Sequence, residues 1–393
     1  MATYKEQNKL NVPHLRFPEF HGEWEKCKLG DIAEFSTARV SSVKLDCKNY
    51  VSTENMLQDF QGVVEAKSVP NETNVISFTC GDILISNIRP YLKKVWKATF
   101  DGGCSSDVFV LQATDTVAKD YLHYAVANDK FINYVMSGAK GVKMPRGDKN
   151  QMRTYQLSLP SIQEQYKIAK LLTLLDERIA TQSKLIEDLK KLKSAIIDYA
   201  INSLDTDFAK FGSLYEMASE GGTPTTSNAS FYDNGKIPFI KIDDLKKKYL
   251  TENKDFITEL GLQKSSAWLV PSRSILFSNG ATIGEITITT YPVCTKQGIL
   301  GIVPKPNIDV EFLYYFMSSS YFKKAVSRIV TEGTMKTAYL KDINNIRCPI
   351  PIKEKQQDIA KMPSALNSKI DFEQSILKLF GSQKQYLLRQ MFM

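Results

Sequence analysis

The chain has 393 residues, too many for one ordinary core, and its apolar share of 43% and charged share of 24% are those of a globular protein with two or three domains. The 51 Lys and Arg residues against 43 Asp and Glu give a net charge of +8, which suits a nucleic-acid partner. Six scattered cysteines without a C-x-x-C pair, three histidines and no long apolar run argue against a zinc site and a membrane span, and favour a reduced, cytoplasmic protein.

The sequence repeats itself at a nearly constant offset. Residues 158–170 (SLPSIQEQYKIAK) resemble residues 349–361 (PIPIKEKQQDIAK) at an offset of 191. YLHYA in the first half matches FLYYF in the second at that offset, and DILISN matches SILFSN at 192. Several matches in one register indicate two copies of one unit. We predict an α+β protein with a pseudo-two-fold internal repeat. Its four segments are an α/β domain over 1–157, a long helix within 158–203, a second α/β domain over 204–349, and a second long helix within 350–393.

Short β-rich runs in the first domain (KNYVSTENM, GDILISNI, VWKATF and DVFVLQA) alternate with turn signals, and a helix is predicted over Tyr121–Met136. The loops Ser36–Lys44 and Gly138–Lys149 are rich in Gly, Ser and Lys and can follow a phosphate backbone, while their Arg and Lys side chains can reach base edges. The candidate DNA-binding residues here are Thr37, Arg39, Lys44, Asn87, Arg89, Tyr91, Lys140, Lys143 and Arg146. The alternative is that the loops are simply solvated, and that N-I-R-P-Y at 87–91 is a strand-end turn with a packed tyrosine.

The first long helix is predicted to begin after Pro160, with Ser161 as N-cap and Glu164 completing a capping box. A seam follows with the alternating spacing of a coiled coil, broken at Arg178 and Gln182. The seam residues are Leu171, Leu175, Leu185, Leu189, Leu192, Ile196 and Tyr199. A helix of this length would extend for about 60 Å. The alternative is that each long helix packs only on its own domain.

The second domain repeats the pattern, with strands predicted in IPFIKID, SILFSN, EITITTYP and GILGIVP and a helix over Glu311–Val330. Its polar loops are EGGTPTTSN at 220–228 and TEGTMKT at 331–337. The candidate DNA-binding residues here are Gly222, Thr223, Thr225, Asn279, Lys296, Thr334 and Lys336. For Lys296 a phosphate contact and a plain turn are both open.

The second long helix carries its seam at Met362, Leu366, Ile376, Phe380 and Leu387, which follow the first seam at the repeat offset. Its breaks at Lys369 and Glu373 match Arg178 and Gln182, so the two helices are predicted to pair with each other. Pro363 predicts a kink or a restart, and Gly381 weakens the helix further.

Motifs of catalysis are absent from the sequence. It contains no G-x-x-x-x-G-K-[ST] loop for ATP phosphates, no G-x-G-x-x-G after a first strand and no Asn/Asp-Pro-Pro-aromatic motif of amino-methyltransferases. Three histidines, two of them in the N-terminal arm, cannot supply a hydrolytic triad. We therefore predict a binding protein, not an enzyme, with no cofactor of its own.

The arrangement of domain, helix, domain, helix resembles the specificity subunit of type I restriction-modification systems. The residues that carry this resemblance are Leu159–Gln165 with Ile168-Ala169, their copy at Pro351–Ala360, Gly221–Pro224 with Ile237–Ile240, and the N-terminal Asn11–Trp24. The resemblance covers essentially the whole chain. The first half departs from the pattern, with Thr37-Ala38-Arg39 where the second has G-G-T-P.

The resemblance implies that each domain is a target-recognition domain for one half of a bipartite, asymmetric site in double-stranded DNA. The long helices would pair antiparallel and set the gap. Two modification subunits, which bind S-adenosylmethionine and methylate adenine, would dock on the chain, and restriction subunits that use ATP would join them. Two other classes stay open: a self-contained methyltransferase or restriction enzyme, which a cofactor motif would have favoured, and a scaffold whose twin domains bind proteins.

Overall fold

A computed structural model describes residues 10–141, 143–280, 282–330 and 336–392. The chain forms two compact units: unit 1 contains Met1–Thr181 with Leu377–Met393, and unit 2 contains Gln182–Ile376. Within the ranges described, no helix combines the length and the apolar character that crossing a membrane requires.

Unit 1 is built on two four-stranded sheets and a short two-stranded ribbon. Its strands are β1 (Glu25–Lys28), β2 (Ala33–Phe35), β3 (Arg39–Ser41), β4 (Tyr50–Val51), β5 (Asn74–Phe78), β6 (Ile83–Ser86), β7 (Val95–Lys97), β8 (Gly102–Cys104), β9 (Val108–Ala113) and β10 (Gln156–Leu159). Its helices are α1 (Leu29–Ile32), α2 (Lys119–Val126), α3 (Asp129–Ser137), α4 (Lys149–Arg153) and the start of the long helix α5 (Ile162–Asn202). The sheets have the orders β2-β9-β6-β7 and β3-β5-β8-β4, and β1 pairs with β10.

Unit 2 repeats this design. Its strands are β11 (Phe208–Lys210), β12 (Tyr215–Glu220), β13 (Ile237–Ile240), β14 (Tyr249–Leu250), β15 (Asp255–Ile257), β16 (Ile275–Ser278), β17 (Ile286–Thr289), β18 (Cys294–Thr295), β19 (Ile299–Pro304) and β20 (Arg347–Pro349). Its helices are the second half of α5, α6 (Glu259–Gln263), α7 (Val310–Ser318), α8 (Ser320–Ile329), α9 (Leu340–Ile343) and most of α10 (Lys353–Met391). The order β12-β19-β16-β17 is that of β2-β9-β6-β7, with β14 added at one edge, and β11 pairs with β20 as β1 does with β10. The predicted internal repeat is confirmed.

The last turns of each long helix complete a domain core. In unit 2, Ile197 and Ile201 of α5 pack with the buried phenylalanines of the β16 sheet and of α7 and α8. In unit 1, Leu388 and Phe392 at the end of the chain pack with α2, α3 and the β6 sheet. Leu388 and Phe392 follow Ile197 and Ile201 by the repeat offset of 191. The two helix ends are therefore equivalent, although one of them returns to the domain at the start of the chain.

A buried glutamine fixes the start of each long helix to its domain. Gln165 donates from Nε2 to Pro160 O (2.9 Å) and accepts from Ala118 N at Oε1 (2.9 Å). Gln356 repeats both bonds with Pro351 O (2.8 Å) and Asp309 N (2.8 Å). Because both side chains are 1% exposed, losing either bond would leave a polar group unpaired in the core.

The long helices pair antiparallel, as predicted. In unit 2, Gln182 Nε2 donates to Glu373 O (3.1 Å) and to the Glu373 carboxylate, and Lys193 Nζ donates to Asn367 Oδ1 (2.9 Å). In unit 1, Asp176 pairs with Lys384 (2.5 Å) and the Arg178 guanidinium lies 5.2 Å from the Phe380 ring centroid. In each unit, residues further along α5 contact residues earlier in α10, as antiparallel pairing requires. Gln182 and Glu373 are equivalent positions of the repeat. The sequence matched them as breaks in the two seams, and in the structure they contact each other.

The predicted seam is correct only in part. Half-buried positions of the seam are Leu171, Leu175, Leu189 and Ile196 on α5 and Leu366, Ile376, Phe380 and Leu387 on α10, whereas Met362 is exposed. Leu172, Ile186 and Ile197 are buried, whereas Leu185, Leu192 and Tyr199 of the predicted seam are 41%, 48% and 77% exposed. Leucines occupy two neighbouring stripes of α5, and apolar spacing alone does not decide which stripe is covered. The exposed stripe is therefore left for another contact.

Three other predictions of local structure need correction. The helices predicted over 121–136 and 311–330 are each broken, because Asn128 and Ser319, equivalent in the repeat, cap new helices by accepting from Phe131 N (3.0 Å) and Phe322 N (3.2 Å). Helix α10 runs through Pro363 and Gly381 as one element, so the predicted restart is wrong. Only half of the capping box forms: Glu164 N donates to Ser161 Oγ (3.4 Å), but the Glu164 carboxylate binds Arg16.

We expect Arg16→Met to destabilise unit 1 by about 3 kcal/mol, because the change leaves a buried carboxylate without its cation. Arg16 donates from Nε and Nη2 to the two Glu164 oxygens, both at 2.8 Å, and the Glu164 side chain is only 1% exposed. Hydrogen exchange of the first turns of α5 measures the effect. The double variant Arg16→Met/Glu164→Met should recover most of the loss, and Lys355→Met, at the exposed equivalent of Glu164, should change little; equal losses in all three would contradict this account.

Candidate nucleic-acid interface

Two segments predicted to meet DNA lie together at the end of β6. Gly147 N donates to Asn87 O (2.8 Å) and Arg89 N donates to Pro145 O (2.8 Å). Lys140 and Arg146 exchange both backbone hydrogen bonds, at 3.1 and 2.9 Å, which closes the second segment into a narrow loop. Residues 87–91, 140–141 and 143–146 are called the unit 1 loop cluster below.

The exposed side chains of the unit 1 loop cluster are mainly cationic. They are Arg89, Tyr91, Lys140, Lys143, Met144 and Arg146. Arg89 has a left-handed backbone with φ of 50° before Pro90, a costly conformation that the bond to Pro145 helps to hold. Lys94 lies below this surface. Burial and the neighbouring charge of Arg89 lower the pKa of the Lys94 ammonium group. Positive charge is therefore concentrated in the unit 1 loop cluster, although basic residues are spread along the sequence as a whole.

The carboxylates beside these cations make weak, exchangeable pairs. Arg146 Nη1 lies 3.2 Å from Asp107 Oδ1, and Lys140 Nζ lies 3.7 Å from Asp148 Oδ2. Backbone N–H groups of Gln151 and Asn150 lower the pKa of Asp148, so that carboxylate stays charged. Because exposed ion pairs contribute little stability, a phosphate can replace either carboxylate at low cost.

In unit 2 the G-G-T-P segment packs tightly against the end of β18 and against the segment that follows α6. A Cβ at Gly221 would lie 2.2 Å from Thr295 O, and one at Gly222 would lie 2.3 Å from Ser266 Oγ, so both positions require glycine. Gln297 N donates to Thr223 Oγ1 (3.2 Å), which brings Thr223 next to Lys296. Thr225 and Lys296 are exposed, whereas Gly222 is buried.

Asn87 and Asn279 occupy equivalent positions beneath the loops of their units. Asn87 N donates to Asp107 O (2.9 Å), and Asn279 N donates to Gly298 O (3.0 Å). The carbonyl oxygens accept in turn: Gly147 N donates to Asn87 O (2.8 Å), and Ala338 N donates to Asn279 O (2.9 Å). The two side chains are 8% and 2% exposed, and within the described ranges neither Oδ1 has a hydrogen-bond partner. Their positions suit the shaping of the loops better than contact with bases.

The remaining candidates are placed apart or lie outside the described residues. Thr37, Arg39 and Lys44 are exposed around β3 in the other sheet of unit 1, where Arg39 Nη1 donates to Asn74 O (3.0 Å). Among the described residues, these three make no hydrogen bond or ion pair with the unit 1 loop cluster. Thr334 lies outside the described residues, and Lys336 lines a 640 Å³ cavity with Lys323 and Phe277.

The structure adds a residue that the sequence did not single out. The Lys149 ammonium lies 4.7 Å from the Phe109 ring centroid and 5.5 Å from that of Phe35, next to the unit 1 loop cluster. Its position as the last residue of the predicted basic loop was the only signal. Among the residues that the structure describes, no group of three or more His, Cys, Asp or Glu side chains is placed to hold a metal ion.

Comparison with known proteins gives one consistent result. The family model described as the type I restriction modification DNA specificity domain matches residues 21–191 and again 205–379. The specificity subunit of the type I restriction enzyme MjaVIII from Methanocaldococcus jannaschii is 24% identical over 410 residues, covering 95% of this chain and 92% of that one.

Solved structures share the fold. The S subunit of a type I restriction-modification system from M. genitalium covers 97% of this chain and 99% of its own, with a TM-score of 0.59 at 16% identity. A chain from a structural study of assembly and conformational transition in the type I R-M system covers 93% and 96%, also with a TM-score of 0.59, at 17% identity. The predicted fold class, with two domains of mixed helix and sheet and two long helices, is confirmed.

Proposed function

Because this chain belongs to the family of type I restriction-modification DNA specificity domains, we propose that it reads a bipartite, asymmetric DNA site for a type I restriction-modification complex. The observation that carries the proposal is the doubled family match, which coincides with two domains of the same sheet order. In each domain, the asparagine that follows the same inner strand, Asn87 or Asn279, accepts a backbone hydrogen bond at its carbonyl, from Gly147 N or from Ala338 N. Each domain then reads one half of the site, and because the two loop sets differ in sequence, the half-sites differ.

We propose that residues 1–157 and 204–349 are the target-recognition domains and that 158–203 and 350–393 form the spacer. Two modules that read one face of a duplex must be spaced by about one helical turn of about 34 Å or a multiple of it. A continuous 41-residue helix such as α5 is long enough to fix such a spacing.

Exposed apolar stripes on the long helices support docking of partner subunits. In unit 2, Leu185 and Leu192 of α5 are exposed seven residues apart. In unit 1, Leu379 and Tyr386 of α10 are exposed at the same spacing. A heptad-spaced apolar stripe that its own coiled coil leaves uncovered is typical of a surface for further helices. We propose that two modification subunits, carrying S-adenosylmethionine, dock there and that restriction subunits using ATP join them.

The purified chain alone is expected to transfer no methyl group from labelled S-adenosylmethionine to DNA, whereas the chain with its modification subunits is expected to methylate adenine. A band-shift assay across a range of salt concentrations accompanies the test, because a DNA reader loses affinity steeply as phosphate contacts are screened. Methyl transfer by the chain alone would favour a self-contained enzyme. The absence of salt-dependent DNA binding by the complex would favour a protein scaffold.

Arg89→Ala and Arg146→Ala are each expected to weaken binding of the methyltransferase complex to its DNA site by about fivefold to a hundredfold. A bidentate arginine–guanine contact contributes about 1–3 kcal/mol, and both guanidinium groups are exposed in the unit 1 loop cluster. Binding is measured by fluorescence anisotropy at fixed salt. Lys170→Ala on α5 removes one exposed positive charge outside the cluster and serves as the control; a loss there equal to that of the arginine variants would argue against the assignment.

A further inference from the structure

The N-terminal arm of unit 1, residues 10–24, bridges the ends of the two long helices. Leu15 N donates to Gln390 O (3.0 Å) in the last turn of α10. Arg16 forms its bidentate pair with Glu164 in the first turn of α5. The groove between these two turns is therefore covered by the chain itself.

Two further contacts fix the arm along the first turns of α5. Glu19 pairs with Lys167, and the Lys167 ammonium lies 4.7 Å from the Phe17 ring centroid. Phe17 in turn packs against the core of unit 1. An aromatic anchor flanked by one basic and one acidic side chain is thus what fills this groove.

In unit 2, the described residues leave the equivalent groove open. A cavity of 580 Å³ lies between the last turn of α5 and the first turns of α10, and its lining includes Tyr199, Leu204, Thr206, Ile352, Lys355 and Ile359. Tyr199 and Ile352 are 77% and 73% exposed. Tyr199 is the repeat equivalent of Gln390, whose carbonyl holds the arm in unit 1.

Two charged positions on the first turns of the long helices are reversed between the units, and the lining of the open groove also contains Asp205. Lys355 stands at the position of Glu164, and Asp358 stands at the position of Lys167. The arm of a second copy would bring Arg16 towards Lys355 and Glu19 towards Asp358. Because like charges at an interface disfavour a partner, a second copy of this chain is a poor occupant.

We propose that the open groove of unit 2 binds an extended segment of a modification subunit that has an apolar anchor and an acidic side chain facing Lys355. The inference rests on the proposed function, since it requires that modification subunits dock on this chain. It adds that the two docking positions differ: the arm closes the groove in unit 1, and a partner segment closes the groove in unit 2. The apolar lining takes the anchor, as the unit 1 core takes Phe17.

A photo-crosslinking amino acid at position 199, in the complete complex with modification subunits, tests the inference. We expect the probe at Tyr199 to label a modification subunit on a peptide that contains Asp or Glu. The matched probe at Gln390 is expected to label residues 10–24 of the same chain. Labelling of the arm of a second copy by the Tyr199 probe would overturn the inference, and so would no label on a modification subunit while the Gln390 probe labels the arm.

A charge reversal provides the second measurement. Lys355→Glu is expected to weaken binding of modification subunit at one of its two positions by about tenfold, because the acidic segment then faces a like charge. Lys324→Glu makes the same change at an exposed position on α8 and is expected to leave binding unchanged. Unchanged binding in Lys355→Glu would overturn the inference. A complex that methylates DNA without these effects leaves the proposed function intact, whereas a complex that never methylates refutes the proposed function itself.

Discussion

Replacing residues 1–157 with the equivalent domain of a relative is expected to change one half of the methylated site completely and to leave the other half and the gap intact. The reason is that the unit 1 loop cluster and the sheet beneath it make their contacts within their own unit. Each mismatched base pair costs about 1–3 kcal/mol, so methylation of the original site should fall by at least about a hundredfold. Methylation mapping gives both half-sites in one experiment.

The domain exchange must preserve the packing of the unit 1 core, and a second chimera serves as the control for this. Leu388, Met391 and Phe392, from the far end of the chain, belong to the unit 1 core, so the new domain must accept them. A second chimera should therefore also take residues 377–393 from the relative. If both half-sites changed in the chimera that keeps a matched core, the assignment of one half-site to each domain would be wrong.

Two insertions of four residues each, one after Ser194 in α5 and one after Asn367 in α10, are together expected to widen the gap of the recognised site by one or two base pairs. Four residues lengthen a helix by about 6 Å, and B-DNA rises by about 3.4 Å per base pair. Lys193 contacts Asn367 across the helix pair, so insertions at these points keep the two helices matched. Four residues exceed one turn by only about 40°, which should preserve the orientation of the loops.

The single insertion after Ser194 is the control for this result. Ile197 of α5 and Ala360 of α10 belong to one core in unit 2, so lengthening α5 alone opposes the register of α10. We expect that variant to methylate more slowly than the paired one. An unchanged gap in an active paired variant would mean that the helices do not set the spacing.

Repetition made the architecture predictable. The offset of 191 identified Gln165 with Gln356 and Gln182 with Glu373 before any contact was known, and the structure gives these residues equivalent or mutual hydrogen bonds. The choice between neighbouring apolar stripes on α5 was not predictable, because it depends on how α10 covers the helix. The breaks at Asn128 and Ser319 carried a capping signal that helical periodicity outweighed.

The candidate interface was predictable only in part. The sequence singled out the basic loop and the N-I-R-P-Y turn separately. That they lie together depends on backbone hydrogen bonds between residues more than fifty positions apart, such as Gly147 to Asn87. Burial of Asn87 and Asn279 could not be foreseen, because polarity in a sequence does not distinguish a side chain on a loop from one beneath it. Contact with DNA remains a prediction for all of the candidate residues.

Methylation mapping of a genome that carries this chain with its modification subunits tests the central claim most directly. Two different recognition domains on one helical spacer predict one methylated motif with two unlike half-sites, separated by a fixed gap of unspecified bases. Deleting the gene for this chain should abolish that methylation. A continuous or palindromic motif, or methylation that persists without the chain, would contradict the account.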